Sequence, residues 1–280
     1  AWTSSRQGLH SCAAHTEMAE SYPRLEGKVV LITGASAGIG AAAARHFIAS
    51  GAKVIVTARR LERLDKLKAE LEEKFPGSAD RVHAAKLDVQ QHAMVDALVV
   101  GLPEAFKDID ILVNNAGLAL GVPQTHENDP AAIDTVLDTN VKGVLYMIRA
   151  VVPGMIARKS GHVINVSSVA GIQAYRGGSL YCASKHAVQA ITNSMRKELA
   201  PHNVKVTAIC PGLVETEFSI VRLGDKDKAD QVYKGYSPLV ADDIADNILY
   251  AASRPAHVQI AELLVYPSVQ ASAEIVHKEL

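Results

Sequence analysis

From Lys28 onward, short runs of apolar, mostly β-branched residues alternate with longer amphipathic stretches. Val29-Val30-Leu31-Ile32 reads as a buried strand and Gly38 to Ile48 as a helix. Val54-Ile55-Val56 is the next strand, and a charged helix runs from Leu61 to about Lys74, where Pro76 and Gly77 stop it. Val82 to Leu87, Ile109 to Val113, His162 to Val166, Val204 to Ile209 and Leu263 to Val265 are further strands. Helical patterns fill the intervals, notably residues 130–157 and 179–200. Apolar strands alternating with helices predict an α/β fold: one doubly wound parallel sheet of about seven strands, with helices on both faces. The charged stretch from Arg222 to Lys234 reads as irregular, a flap over a site at the strand ends. There is no internal repeat and no low-complexity linker. Residues 23–280 are expected to form a single domain, and residues 1–22 a disordered N-terminal tail. Its first 17 residues are either part of that tail or sequence upstream of a start at Met18.

Composition narrows the function classes. A chain of 280 residues, 48% hydrophobic, is long enough to bury a full core. A formal net charge of −1 removes the electrostatic reason to expect nucleic acid as a partner. The charged helix from Arg59 to Lys74 mixes both signs and reads as a solvated face. No apolar run is long enough for a bilayer, so no membrane association is expected, and residues 1–21 lack the apolar core of a signal peptide. Cys12, Cys182 and Cys210 are odd in number and scattered, which favours a reducing compartment, the cytoplasm. The closing His277-Lys278-Glu279-Leu280 is similar to an ER-retention signal, but without a leader for lumenal entry it reads as coincidence. His10, Cys12 and His15 match no metal-ligand spacing, and no metal is expected.

Thr33-Gly34-Ala35-Ser36-Ala37-Gly38-Ile39-Gly40 falls between the first strand and the first helix. Glycines there permit a tight turn and bring backbone N–H groups to a pyrophosphate at the helix N-terminus, a Rossmann-type arrangement. Gly34, Ser36, Gly38, Ile39 and Gly40 are therefore predicted to hold a dinucleotide. The second strand ends Thr57-Ala58-Arg59-Arg60, and no acid appears before Glu62. An acid at the strand end would suit the free ribose hydroxyl of NAD. Arg59 and Arg60 suit a 2′-phosphate instead, so the predicted cofactor is NADP(H).

Tyr181 and Lys185 stand four apart on a predicted helix and share a face. A lysine cation and the positive charge of an oxidised nicotinamide would lower the phenol from its usual value of about 10. Such a tyrosine exchanges a proton with an alcohol or a carbonyl. Ser168, after the His162–Val166 strand, would hold the same oxygen, with Ser167 as its rival. Taken singly, each has an ordinary structural role; their order with the remaining motifs changes the weighing.

That order is Thr33-Gly34 to Gly38-Ile39-Gly40, Asn114-Asn115-Ala116-Gly117, Asn140, Ser168, Tyr181-Cys-Ala-Ser-Lys185 and Pro211-Gly212. It resembles the short-chain dehydrogenase/reductase family from about Lys28 to the C-terminus. The resemblance implies further roles. Asp88 would contact the adenine ring, and Asn115 would sit where the fourth strand meets the cofactor. Asn140 would support a water-linked proton relay to Lys185, and Lys185 would also hold the nicotinamide ribose. Thr216 would orient the carboxamide, and the family's interval back from the tyrosine selects Ser168.

Gly212 to Arg222, Val240 to Ala245 and Tyr266 to Ser272 are similar to the NADP-dependent 3-hydroxy acid dehydrogenase branch, also called serine or allo-threonine dehydrogenases. This implies oxidation of the 3-hydroxyl of serine, allo-threonine or 3-hydroxyisobutyrate by a cytosolic homotetramer. A carboxylated substrate needs a cationic partner out of water. Arg222, in the expected flap, is the candidate, with Arg176 second. The alternatives are a broad carbonyl or 3-oxoacyl reductase acting on larger ketones, and a catalytically silent NADP-binding sensor. The retained tyrosine and lysine speak against the last.

Overall fold

A computed structural model describes residues 22–278. Seven parallel strands form one sheet: β1 (Val29–Thr33), β2 (Lys53–Ala58), β3 (Val82–Lys86), β4 (Ile111–Asn114), β5 (Gly161–Val166), β6 (Val204–Pro211) and β7 (Glu262–Val265). Their order is β3-β2-β1-β4-β5-β6-β7. The helices are α1 (Gly38–Ala49), α2 (Leu61–Lys74), α3 (His92–Val100), α4 (Pro130–Leu137), α5 (Gly143–Arg158), α6 (Ser179–Leu199), α7 (Glu217–Leu223), α8 (Lys226–Tyr233) and α9 (Ala241–Ala252). The doubly wound parallel sheet expected from the pattern is the fold observed.

Period-two side-chain alternation divides each strand between two cores. On β1, Val30 and Ile32 join the core made with α1, α2 and α9, where Phe47 and Leu64 are wholly buried. Val29 and Leu31 join the opposite core, made with α3, α5 and α6 around Met147 and Met155. Ala41 to Ala44 are all buried, and this row of small side chains lets α1 lie close on the sheet. A second tie is polar. Asn114 Nδ2 donates to Asn165 Oδ1 (2.9 Å), and Asn165 Nδ2 donates to Thr192 Oγ1 (2.8 Å), joining β4, β5 and α6 through the interior. Strand order reverses between β1 and β4, and a crevice opens at the carboxyl ends of such strands.

Three expectations change. The 130–157 helix is interrupted: α4 and α5 flank a π-helical turn at Asp138–Lys142, which carries Asn140. A wider turn keeps the axis running but re-aims its side chains, so hydrophobic periodicity did not reveal it. The Arg222–Lys234 stretch is helical, not irregular, with Gly224 in the left-handed region (φ +65°) between α7 and α8. Asp225 caps α8, and Lys226 pairs with Asp230 one turn on (2.7 Å), so local charge pairing supports helix where apolar periodicity is weak. Tyr22, expected to end the tail, packs partly buried against the α1 core. The remaining tail and the last two residues of the closing tetrapeptide lie outside the described residues, as does the rejected His10–Cys12–His15 set. Among the described residues, no helix is long and apolar enough to cross a membrane.

His162 is buried on β5. Its Nε2 lies 2.8 Å from Thr207 Oγ1, and its Nδ1 has no partner among the described residues. Burial, with the Lys205 cation nearby, pulls the imidazole down to about 3. An unfolded histidine takes its proton near 6.5, so between about 6.5 and 3 unfolding takes up a proton. We expect stability to fall on acidification through that window, with His162 adding a slope approaching about 1.4 kcal/mol per pH unit. Urea unfolding of the parent and His162→Gln from pH 7.5 to 4.5 checks this. Equal slopes in both would show that the buried imidazole is not the cause.

Candidate active site

A cleft of about 570 Å³ runs along the carboxyl ends of the strands, lined by Arg59 and Arg60 and by Tyr175 and Arg222. Gly34 (φ +67°) and Gly38 (φ +54°) turn the chain between β1 and α1 in a conformation few side chains tolerate. A Cβ on Gly34 would stand 2.9 Å from the Ala116 Cα. Gly40 does not line the cleft. It packs behind the loop, where a Cβ would lie 2.5 Å from Asn115 Nδ2 and 2.6 Å from the Gly34 carbonyl oxygen. The N-cap of α1 is Ala37, whose side chain offers no oxygen to its first N–H groups. Those donors can therefore serve an anion.

Asn115 builds this floor. Its Nδ2 donates to the carbonyls of Thr33 (2.9 Å) and Gly34 (3.2 Å), while Thr33 Oγ1 accepts from the backbone N–H groups of Asn115 and Ala116. Asp88, after β3, also lines the cleft, and its Oδ1 accepts from the Gln90 N–H. Ser36, Ile39, Arg59 and Arg60 face the same space. Arg60 Nη2 donates to Ser36 Oγ at 3.1 Å, so a cationic and a hydroxyl donor converge beside the loop. A dinucleotide with a phosphate on its adenosine ribose fits this set. Backbone donors serve the pyrophosphate, and the open glycine cradle leaves room for its approach.

Tyr181 and Lys185 rise from the first turns of α6. Lys185 is buried, with its Nζ 5.7 Å from the centre of the Tyr181 ring and donating to the Val166 carbonyl at 2.9 Å. Burial pulls the Lys185 ammonium down to about 8. Burial also pushes the Tyr181 phenol well above its ordinary value; the Ser168 hydroxyl beside it and the Arg222 cation oppose that rise. In the protein alone, desolvation outweighs the charges beside the phenol; the expected depression also invokes the positive charge of an oxidised nicotinamide.

Ser168 follows β5 and caps a short 3₁₀ turn, its Oγ accepting from the Ala170 N–H at 3.1 Å. Ser167, the rival, also lines the cleft, but its buried Oγ has no hydrogen-bond partner among the described residues. Asn140 accepts at Oδ1 from the Leu118 N–H (2.9 Å) and donates from Nδ2 to the Leu118 carbonyl (2.8 Å) and Ser184 Oγ (3.0 Å). A Cβ on Gly117 would lie 3.3 Å from Asn140 Oδ1 and 3.4 Å from Lys185 Nζ, so the absent side chain leaves the two facing a common gap.

Thr216 caps α7, accepting from the Phe218 N–H (3.3 Å), and stands against Gly38. From the same helix, the Arg222 guanidinium lies 5.4 Å from the Tyr175 ring centre and 6.0 Å from that of Tyr181. It donates to Tyr175 Oη (3.0 Å) and to the Gly121 carbonyl (3.2 Å). Arg176 also lines the cleft. Tyr175, Glu217 and Gln270 line it too and were missed. Gln270 lies within the Tyr266–Ser272 stretch, and its Oε1 accepts from the Leu213 N–H just after β6. The sequence signals for these three were proximity of Tyr175 to Tyr181 and membership of Glu217 and Gln270 in the Gly212–Arg222 and Tyr266–Ser272 stretches.

Residues 28–226 match the sequence profile of a family described as short chain dehydrogenase. The chain belongs to that family. It is 44% identical over 259 residues to the NADP-dependent 3-hydroxy acid dehydrogenase of Schizosaccharomyces pombe, covering 91% of this chain and 98% of the relative. Sulfoacetaldehyde reductase 2 of Chromohalobacter salexigens is also 44% identical, over 87% of this chain and 95% of its own. A solved structure, the closed form of serine dehydrogenase complexed with NADP+, superposes with a TM-score of 0.84 at 43% identity. That match covers 90% of this chain and 100% of the other.

Alanine at Gly40 would overpack the contact between α1, Asn115 and the loop. We expect Gly40→Ala to cost about 1–3 kcal/mol in chemical unfolding and to weaken dinucleotide binding at least about tenfold. Fluorescence titration with NADP reads the second effect, and parent-like affinity would show that this close approach is dispensable.

Proposed function

We propose that this short-chain dehydrogenase is NADP-dependent and oxidises the 3-hydroxyl of small hydroxy acids such as serine, allo-threonine or 3-hydroxyisobutyrate, or reduces the corresponding 3-oxo acids. One observation carries the substrate class: the Arg222 guanidinium lies 5.4 Å from the Tyr175 ring centre and 6.0 Å from that of Tyr181, in the same cleft as the glycine loop. A carboxylate paired with Arg222 brings a hydroxyl two carbons away toward the Tyr181 phenol. The likeness to hydroxy acid and serine dehydrogenases supports the same reading.

Gly34, Ser36, Gly38 and Ile39 would hold NADP along its phosphates, with Arg59 and Arg60 at the 2′-phosphate and Asp88 near the adenine. Thr216 and Lys185 would hold its nicotinamide end. When bound, NADP accepts or returns a hydride at the substrate carbon. The protein supplies the proton transfer. Tyr181 takes the hydroxyl proton during oxidation and gives it back during reduction, while Ser168 fixes the substrate oxygen beside it. A buried phenol pushed upward is a reluctant base, so positive charge near its oxygen has to favour the phenolate before it works at neutral pH. Lys185, held near 8, sits close to the point where it exchanges its own proton. Asn140 faces the same gap and would carry that proton outward by way of water.

The protein is further read as a cytoplasmic homotetramer. Two buried free cysteines and a part-exposed Leu264 on the edge strand β7 agree with this. Light scattering on the purified chain would test the assembly.

Initial rates of NADP reduction with L-serine, D-serine, L-allo-threonine and 3-hydroxyisobutyrate test the substrate class. We expect turnover with at least one acid and a clear preference over NAD. NADPH oxidation only on β-keto esters or aldehydes would move the reading to a general carbonyl reductase. Tyr181→Phe should lower kcat by about a thousandfold while NADP binding stays near the parent value. Activity within tenfold of the parent would remove Tyr181 from the chemistry.

A further inference from the structure

The adenosine end of the cleft contains a charge that opposes the proposed cofactor. Glu217 opens α7 directly after Thr216 and lines the cleft. One of its carboxylate oxygens is 3.6 Å from Arg60 Nη2, the nitrogen that also reaches Ser36. An unrestrained carboxylate there competes for Arg60 and repels an incoming phosphate. It is restrained: Arg63, in the first turn of α2, donates from Nη1 to both Glu217 oxygens, at 2.9 and 2.8 Å.

We propose that Arg63 is a positioning residue that sets the preference for NADP over NAD, by holding the Glu217 carboxylate off Arg60. Three cationic side chains cluster at this end, Arg59, Arg60 and Arg63, but the last takes both hydrogen bonds of the acid and leaves Arg60 only the longer 3.6 Å contact with it. NAD carries no phosphate at this position, so losing Arg63 affects it little. The effect is confined to the ratio of the two affinities. Its size is modest, because Arg63 and Glu217 are 38% and 48% exposed and water screens the pair.

The inference rests on the proposal that Arg60 receives the 2′-phosphate, and the experiment separates the two. NADP and NAD affinities are measured by calorimetry on the full chain for the parent, Arg60→Ala, Arg63→Ala, Glu217→Gln and the Arg63→Ala/Glu217→Gln double variant. Arg60→Ala should cut the NADP-to-NAD affinity ratio about tenfold or more. Arg63→Ala should cut it about three- to fivefold, and adding Glu217→Gln should bring it back to within about twofold of the parent. The loss in Arg63→Ala should also shrink at about 0.5 M KCl. An unchanged ratio in Arg60→Ala overturns the phosphate assignment and this inference with it. A loss in Arg60→Ala but none in Arg63→Ala leaves the assignment standing and overturns the role of Arg63. A loss in Arg63→Ala that Glu217→Gln does not rescue also overturns it, since Arg63 would then act on the phosphate directly.

Discussion

The cleft depends on how closely β1 and β4 hold each other at their carboxyl ends. Asn115 spends its side-chain amide on the Thr33 and Gly34 carbonyls, and Thr33 returns its hydroxyl to two N–H groups beyond β4. These buried or half-buried polar groups satisfy one another at the point where strand order reverses, so the loop needs no water inside it. The same closeness leaves no room for a Cβ at Gly34 or Gly40. Asn115 therefore contributes to the site as framework, with its amide already engaged before any ligand arrives.

Much of this architecture was legible because parallel sheets write themselves as apolar runs. Seven such runs, separated by helical stretches, led to seven strands, with boundary shifts of a residue or two such as β4 at Ile111–Asn114. Motif residues far apart in the chain, among them Ser168, Tyr181, Lys185 and Asn140, are brought to one cleft or to the gap beside it. What stayed hidden had no periodic signature. The π turn at Asp138–Lys142 keeps the composition of a helix while changing its hydrogen-bond reach. α7 and α8 are short and stabilised by caps and ion pairs, which a hydrophobic pattern does not register. Glu217 and Arg63 meet across 154 residues, and no local rule connects them.

The electrostatics of Tyr181 and Lys185 were only half legible. Spacing places a cation near a phenol, and that part holds at 5.7 Å. Desolvation is a property of the folded surroundings, and here it raises the phenol and lowers the ammonium together. Both groups are pressed toward their neutral forms, so the phenolate that takes a proton depends on positive charge brought near its oxygen. Arg222 adds a positive charge 6.0 Å from the Tyr181 ring centre, held by Tyr175 and by the Gly121 carbonyl. On the proposed function, substrate recognition and proton transfer would share one cation.

α7 is seven residues long and, with its cap, bears Thr216, Glu217 and Arg222. On the roles argued above, its first turn answers to both ends of the cofactor and its last turn answers to the substrate. On those roles both ligands would contact the same two-turn helix, so any shift of it on binding one would alter the position offered to the other. Thermodynamic reciprocity then applies: whatever factor bound NADP adds to the affinity for the acid, the acid must return to NADP. On those roles, any such coupling would be one free energy shared by both binding events, with α7 as the element they hold in common.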